Sequence, residues 1–186
     1  SIIGWAEAVR VLIKSYLYGS PKPVFDFSDI RPKGALLITS GGKAPGKEPL
    51  ERCLFEIDNI LKNKEHGSKL KSIECHSILC HIADCVLSGG IRRAAMIAGF
   101  SFDDADMIGC KSGNWWELNP HFARANNSAV IVKNRCTKEE FNLFWERIKA
   151  SGAGEPGISW TNNPEYFFNP CHEISLRPYS FCNLTE

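Results

Sequence analysis

The sequence lacks a long apolar run and a strong net charge. None of its apolar stretches reaches the roughly 20 residues of a membrane-spanning helix, and its first residues do not have the pattern of a signal peptide. The formal net charge of +1 is too small to attract nucleic acid or a membrane surface. We therefore expect neither a nucleic-acid partner nor a membrane partner.

A compact disulfide framework is also missing. The eight cysteines do not have the short, regular spacings of a small secreted domain. We therefore predict reduced thiols in the cytoplasm, where a disulfide is more often catalytic than structural. The cysteines lie at positions 53, 75, 80, 85, 110, 136, 171 and 182.

Helical periodicity alternates with glycine-rich turns and short apolar runs along the chain. Helices are predicted at 5–17, at 48–62, from Cys75 to a stop at Gly89-Gly90, at 103–108 and at 137–150, the last with a capping box of Thr137 and Glu140. Strands are predicted at 23–27, 34–39, 91–102, 128–132 and 154–160. This alternation predicts an α/β architecture with largely parallel strands.

One helix carries a possible metal pattern. His76 and Cys80 are four residues apart, as are His81 and Cys85, so each pair could share a helix face and bind a metal ion. However, Cys75 lies on the predicted apolar stripe and Cys85 at its edge, where cysteine behaves as a small apolar residue. A zinc site would also need a second element. We therefore favour a structural role for this helix and expect no metal.

Two glycine-rich turns could approach a phosphate. Glycine permits positive φ and close backbone contact, and neighbouring basic residues supply positive charge. Neither turn matches a Walker loop or a dinucleotide fingerprint, so each by itself is more often a plain turn than a nucleotide site. The candidate residues are Ser40, Gly41, Gly42 and Lys43 in SGGKAPG (40–46), and Ser88, Gly89, Gly90, Arg92 and Arg93 in SGGIRRAA (88–95).

The C-terminal segment offers the clearest chemical candidate. Asn169, Cys171 and Glu173 stand at alternate positions, so in an extended loop their side chains would project to one side. Cys182 follows a turn at 177–179 and could return on an adjacent strand. From these residues alone, a reactive cluster and two buried structural cysteines remain equally supported.

Four ordered motifs together resemble those of ribonucleotide reductases. SGGKAPG, SGGIRRAA, GEPGISW (154–160) and NPCHEISLRPYSFCNLTE (169–186) match that family's motifs, over a span from about Ile30 to the last residue. The amino-acid sequence around SGGKAPG and SLRPYSFCNLTE most resembles that of the monomeric, adenosylcobalamin-dependent (class II) enzymes that reduce ribonucleoside triphosphates. His172 stands where many relatives carry glycine. The alternatives are a segment of a diiron-dependent (class I) large subunit and a non-catalytic nucleotide-binding module derived from the fold.

The resemblance implies part of a ten-stranded α/β barrel with a central finger loop. Residues 1–76 would form the effector side with loop 40–46, residues 77–168 barrel helices and strands with specificity loop 88–95, and residues 169–186 the finger loop and redox-cysteine strand. The family's partner for Cys182 lies on an earlier strand that we do not find in this sequence. We therefore expect this sequence to be an internal fragment, inactive by itself.

The resemblance also implies roles for the C-terminal residues. Cys171 would form a thiyl radical and abstract the ribose 3′ hydrogen, Glu173 would be the general base, and Asn169 would hold the ribose hydroxyls. Cys182 would be half of the reducing dithiol. Adenosylcobalamin would be bound mainly by parts of the enzyme outside this fragment. The expected partners are a ribonucleoside triphosphate, a deoxynucleotide effector, a thioredoxin-like reductant and the remaining segments of the enzyme.

Overall fold

The chain forms a helical unit followed by a unit with a parallel sheet. The computed structural model describes residues 1–38, 41–86, 95–180 and 182. The two compact units are Ser1–Ala94 and Ala95–Glu186. Within the described ranges, no helix has both the length and the apolar character needed to cross a membrane.

Within the described residues of the first unit, three helices pack together. They are α1 (Ile2–Leu17), α2 (Glu48–Lys62) and α3 (Ser72–Cys85). Their apolar faces meet in one core because each helix has apolar residues at helical spacing. The buried core residues are Leu12, Leu50, Cys53, Leu54, Ile57, Leu61, Ile78 and Cys85. The three helices predicted for this region are therefore confirmed.

The two strands predicted in the first unit are wrong. Residues 23–27 form no strand, and the described part of the second run, 34–38, has a single bridge between Leu36 and Lys43. An apolar run becomes a strand only where a neighbour takes up its backbone hydrogen bonds. Here Phe25 and Phe27 pack against the helical core instead.

The apolar stripe predicted on α3 is shifted from its expected position. Cys75 and Leu79 are exposed, so Cys75 does not lie on the packed face. The buried residues of the helix are His76, Ile78, Cys80, Ala83 and Cys85. The predicted stop at Gly89-Gly90 lies outside the described residues.

A three-stranded parallel sheet organises the second unit. The strands β1 (Met96–Ser101), β2 (Ala125–Val132) and β3 (Gly157–Thr161) lie in that order, with Met96 opposite Ala125 and Ser128 opposite Gly157. The connections contain α4 (Ala105–Gly109), α5 (Trp115–Leu118) and α6 (Lys138–Ser151), with 3₁₀ turns at Pro120–Arg124 and Lys133–Arg135. The predicted α/β class with parallel strands is confirmed. So is the capping box of Thr137 and Glu140 on α6.

The two faces of this sheet have different partners. On one face, Ala129 and Ile131 are fully buried, and Trp160 of β3 contacts Phe141 of α6 with ring centres 5.4 Å apart. On the other face, Gly99 of β1 meets the ring of Phe167. A helical layer therefore covers one face, and a segment that follows β3 packs on the opposite face.

A nearly buried ion pair joins three segments of this unit. Lys111 is 7% exposed, and its Nζ lies 2.7 Å from a carboxylate oxygen of Glu155 and 2.6 Å from the carbonyl oxygen of Ala125. The same ammonium lies 5.4 Å from the ring centre of Trp115. Lys111 thus connects the α4–α5 segment, the start of β2 and the segment before β3.

Replacing Lys111 by methionine is expected to destabilise the protein. The substitution keeps an apolar stem but leaves Glu155 and the Ala125 carbonyl without their cation. We expect the free energy of unfolding to fall by about 2 kcal/mol. This is less than the roughly 3–5 kcal/mol for a fully buried pair, because Glu155 retains some contact with water. The control Lys149→Met removes a solvent-exposed pair with Glu146 and should cost less than about 0.5 kcal/mol. Urea unfolding followed by circular dichroism measures both, and equal losses would contradict the assignment.

Candidate active site

A short hairpin carries the predicted reactive residues. Strands β4 (Phe167–Phe168) and β5 (Ser175–Leu176) pair antiparallel. The connecting residues 169–174 are called the finger loop below, and the two strands with this loop are called the finger hairpin. The backbone N–H of Asn169 donates to the carbonyl of Ile174 at 3.1 Å and closes the base of the loop.

The Asn169 side chain organises the finger loop from inside. Asn169 is only 5% exposed, and its Oδ1 accepts hydrogen bonds from the backbone N–H groups of Glu173 at 3.1 Å and Ile174 at 2.9 Å. Its Nδ2 lies 3.6 Å from the sulfur of Cys182. One buried amide thus connects the loop of Cys171 and Glu173 to the second cysteine.

Cys182 reaches this position after a turn. The N–H of Ser180 donates to the carbonyl of Arg177 at 3.1 Å, and the Arg177 side chain donates to the Tyr166 hydroxyl at 2.6 Å. The chain therefore reverses direction between β5 and Cys182, and the two cysteines of the C-terminal segment belong to one local structure.

The backbone of the finger loop is turned, whereas we expected an extended conformation. The N–H of His172 donates to the Asn169 carbonyl at 2.8 Å, with Pro170 at the second position of this turn, which proline favours. Asn169 is therefore buried, while Cys171 and Glu173 are exposed at the loop surface. Alternate positions no longer share a side, so the expected convergence through an extended backbone is wrong. The thiol and the carboxylate are exposed to solvent, and the buried side chain of Asn169 holds the backbone of their loop.

His172 adds an aromatic contact beside the thiol. Its ring stacks on Phe168 with centres 4.0 Å apart and planes 20° apart, and it meets Phe167 edge-on at 6.4 Å. Its φ of +68° lies in the left-handed region that glycine occupies most easily. The contacts of its ring with Phe168 and Phe167 stabilise this left-handed backbone conformation, which a residue other than glycine adopts less easily.

A cleft lies at the carboxyl ends of β1 and β2, beside the finger hairpin. It has a volume of about 520 Å³, and its lining includes Ser101, Phe102, Val132, Arg135 and Phe167. Ligands of parallel sheets commonly bind outside the carboxyl ends of the strands. The cleft combines aromatic surface with a guanidinium group, which suits a ligand with a flat apolar part and an anionic part.

The first glycine-rich turn is only partly described. Gly41 and Gly42 have φ values of +68° and +82°, as expected for a glycine turn, and Lys43 pairs with Leu36. Ser40 lies outside the described residues, as do Ser88, Gly89, Gly90, Arg92 and Arg93. A separate cleft of about 620 Å³ in the first unit includes Arg31, Lys33 and Lys47 in its lining.

The cysteine-rich helix shows contacts within the protein at the predicted metal-pair positions. The Sγ of Cys80 lies 3.7 Å from the Nε2 of His76, and Cys80 and Cys85 are both buried. Within the described part of the chain, no three His, Cys, Asp or Glu side chains cluster as a metal site would require.

Burial raises the pKa of the Cys110 thiol to about 11, so this thiol stays protonated near neutral pH.

Two residues that touch the finger hairpin were not predicted from the sequence. Asn126 donates from Nδ2 to the Pro170 carbonyl at 2.8 Å, and Gly99 lies under the ring of Phe167. Only one of the two positions carried a usable signal. A glycine inside a strand often marks the close approach of another group, which is the signal at Gly99. Asn126 is exposed and lies just before the predicted strand 128–132, so local sequence gives no signal there.

The sequence matches curated reductases over nearly its whole length. It is 30% identical over 98% of its residues to a probable adenosylcobalamin-dependent ribonucleoside-triphosphate reductase of Dictyostelium discoideum. It is also 30% identical to the enzyme of that name from Euglena gracilis and 33% identical to that of Lactobacillus helveticus, again over 98% of the chain. The chain is homologous to a segment of these reductases.

The match covers only part of each reductase. The chain spans about a quarter of the length of these relatives, between 26% and 27%. No family model and no solved structure matches it significantly. The family resemblance inferred from the four motifs is thus confirmed for a segment of the reductases.

Proposed function

We propose that this chain is part of the catalytic barrel of an adenosylcobalamin-dependent ribonucleoside-triphosphate reductase, which converts ribonucleoside triphosphates into 2′-deoxyribonucleoside triphosphates. The observation that carries the proposal is the double contact of Asn169. Its buried amide holds the loop that presents Cys171 and Glu173, and it also reaches Cys182. This arrangement occurs in a chain homologous to enzymes of that name. The class I alternative is not favoured because these relatives are named as adenosylcobalamin-dependent.

The two-faced sheet supports the barrel part of the proposal. In a closed α/β barrel, helices cover the outside of the parallel strands and side chains fill the inside. Here α6 lies against the face of Ile131 and Trp160, and the finger hairpin lies against the opposite face. A finger hairpin inside a larger barrel would have the same relation to its strands. The three regions 1–76, 77–168 and 169–186 remain our assignment of its parts.

The exposed thiol of Cys171 is the proposed hydrogen-atom acceptor. Once converted to a thiyl radical with the enzyme's adenosylcobalamin, Cys171 would take the ribose 3′ hydrogen, forming an S–H bond and leaving a radical at C3′. At the end of the cycle this S–H group would return its hydrogen to C3′, which restores the thiyl radical. Glu173 would accept the 3′ hydroxyl proton, which promotes loss of the 2′ hydroxyl as water. The two electrons for the reduction would come from a dithiol that includes Cys182 and ends as a disulfide.

Asn169 would have two roles in this scheme. Its Oδ1 is occupied by the loop backbone, which fixes the position of Glu173. A carboxamide carries two N–H donors, and one of them is directed at Cys182. As the resemblance implies, the second donor would serve a ribose hydroxyl, and the same residue would then orient both the loop and the substrate.

Neither of the two clefts described above has the size needed for adenosylcobalamin. The two clefts have volumes of about 620 and 520 Å³, a size that suits ligands of ordinary drug size. Adenosylcobalamin combines a corrin ring, a nucleotide arm and an adenosyl group and is much larger. We therefore assign none of these residues to the cofactor and propose that other parts of the enzyme bind it.

The remaining partners are proposed from the family. The deoxynucleotide effector is proposed at the glycine-rich turn of Gly41, Gly42 and Lys43. The separate first-unit cleft has both basic and acidic groups in its lining, among them Arg31, Lys47 and Glu48, and is not assigned to the effector. A thioredoxin-like reductant would restore the dithiol in the cytoplasm. The other segments of the enzyme would supply the second cysteine and the rest of the barrel.

Assaying the longer enzyme that contains this segment tests the proposal. With adenosylcobalamin, a ribonucleoside triphosphate and a dithiol reductant, but no second subunit, we expect the deoxynucleoside triphosphate as product. Activity that depends on a metal-containing partner and not on adenosylcobalamin would establish the class I alternative. Nucleotide binding without conversion under both conditions would indicate a non-catalytic module.

A further inference from the structure

Two contacts from the sheet face hold the finger hairpin in place. We infer that Asn126 and Gly99 are positioning residues that together set where Cys171 stands. This inference rests on the proposed function for its catalytic consequence, but the contacts themselves belong to the structure. The two residues are called the finger anchor below.

Asn126 fixes the tip of the finger hairpin. Its Nδ2 donates to the carbonyl oxygen of Pro170 at 2.8 Å. That carbonyl belongs to the peptide bond that joins Pro170 to Cys171. The hydrogen bond therefore holds the backbone immediately before the reactive thiol, and it comes from the middle strand of the sheet.

Gly99 fixes the base of the finger hairpin. A Cβ atom at this position would lie 2.7 to 2.9 Å from three ring carbons of Phe167, closer than real contacts allow. The ring thus packs directly on the bare backbone of β1. Phe167 begins β4, and the next residue, Phe168, stacks on His172.

The sheet register places both members of the finger anchor on one face. Ile97 pairs with Asn126 and Gly99 pairs with Ser128 in the parallel ladder. Residues two apart on a strand share a face, so Gly99 and Asn126 point toward the same side. The hairpin therefore contacts one face of the sheet at two points. Two contacts restrict both its distance from the sheet and its angle to the strands.

The exposure of Cys171 makes these contacts important for catalysis. The Cys171 side chain is exposed, so burial of that side chain does not fix its position, and the thiol follows its backbone. A displacement of about 1 Å in a reacting group can lower a rate about 10²-fold. Loss of the finger anchor should therefore reduce the chemical step more than it reduces substrate binding.

The substitution Asn126→Asp in the longer enzyme tests the tip contact. Aspartate keeps the size of asparagine but has no N–H to donate to the Pro170 carbonyl. We expect kcat to fall about 10- to 100-fold, with KM within about twofold of wild type. Amide hydrogen exchange of residues 171–174 should quicken, while exchange in α6 stays unchanged. The control Asn142→Asp, on the exposed surface of α6, should behave as wild type.

The substitution Gly99→Ala tests the contact with Phe167 at the base of the finger hairpin, and a second substitution tests whether the lost activity can be restored. The added methyl group should displace Phe167 and lower kcat, and shortening the ring in Gly99→Ala/Phe167→Leu should restore part of the loss. A wild-type kcat and wild-type loop exchange in Asn126→Asp would overturn the inference. Equal acceleration of exchange in α6 and in the finger loop would also overturn it, because that result indicates general destabilisation. If the wild-type enzyme makes no deoxynucleotide, the proposed function fails, and the exchange measurement still decides the finger anchor.

Discussion

The variant Cys171→Ser of the longer enzyme is expected to form no measurable deoxynucleotide. A serine O–H bond is much stronger than a thiol S–H bond, so the side chain cannot carry the radical that we propose removes the 3′ hydrogen. Removing the one reactive group of a site commonly costs about 10⁴-fold or more in kcat. Because the Cys171 side chain is exposed, the substitution should leave the unfolding temperature unchanged. Product quantification by mass spectrometry, with a thermal melt of the same sample, measures both effects.

Cys75 provides the matched control for this prediction. It is also exposed, but it lies on α3 in the helical unit. Cys75→Ser should retain wild-type turnover under the same conditions. Deoxynucleotide formation by Cys171→Ser would remove Cys171 from the mechanism, and equal losses in both variants would indicate a nonspecific effect of thiol removal.

The variant Glu173→Gln is expected to lower kcat about 10²- to 10⁴-fold, the usual contribution of a general base. Glutamine has the same shape but cannot accept the 3′ hydroxyl proton. The backbone N–H that Glu173 donates to Asn169 is unaffected by the substitution, so the loop should keep its conformation. KM for the ribonucleotide should change little, because substrate binding does not depend on this proton transfer.

Steady-state kinetics with Glu165→Gln as a comparison measures this effect. Glu165 is an exposed carboxylate shortly before the finger hairpin, so its loss tests whether nearby negative charge alone matters. Glu165→Gln should have a kcat close to that of wild type. A wild-type kcat in Glu173→Gln would show that Glu173 is not the base.

The parallel strands could be predicted from the sequence because their local and tertiary signals agree. The run that became β2 is apolar enough to be buried, and the capping box of α6 marks the following helix clearly. The same apolar signal failed at residues 23–27, where Phe25 and Phe27 joined the core of the helices. A short apolar run does not specify its partner, and only the tertiary structure decides between sheet and helix packing.

The ordered motifs predict which residues form the candidate site, but they do not predict how these residues are arranged. The ordered motifs pointed to Asn169, Cys171, Glu173 and Cys182, whereas residue spacing alone suggested an extended loop. Pro170 favours a turn at this point, and the buried amide of Asn169 completes it with two backbone hydrogen bonds. Asn126 contacts the loop across 44 residues of sequence, a separation over which local patterns give no information about pairing.

Removal of the ribose 3′ hydrogen is the step on which the proposed role of Cys171 depends, and an isotope competition measures that step directly. The longer enzyme is given equal amounts of a ribonucleoside triphosphate with protium and with deuterium at C3′, and the early product is analysed by mass spectrometry. We predict that the protium substrate is consumed faster, both by wild type and by the slower Glu173→Gln variant. Equal consumption of the two substrates by both enzymes would contradict the claim.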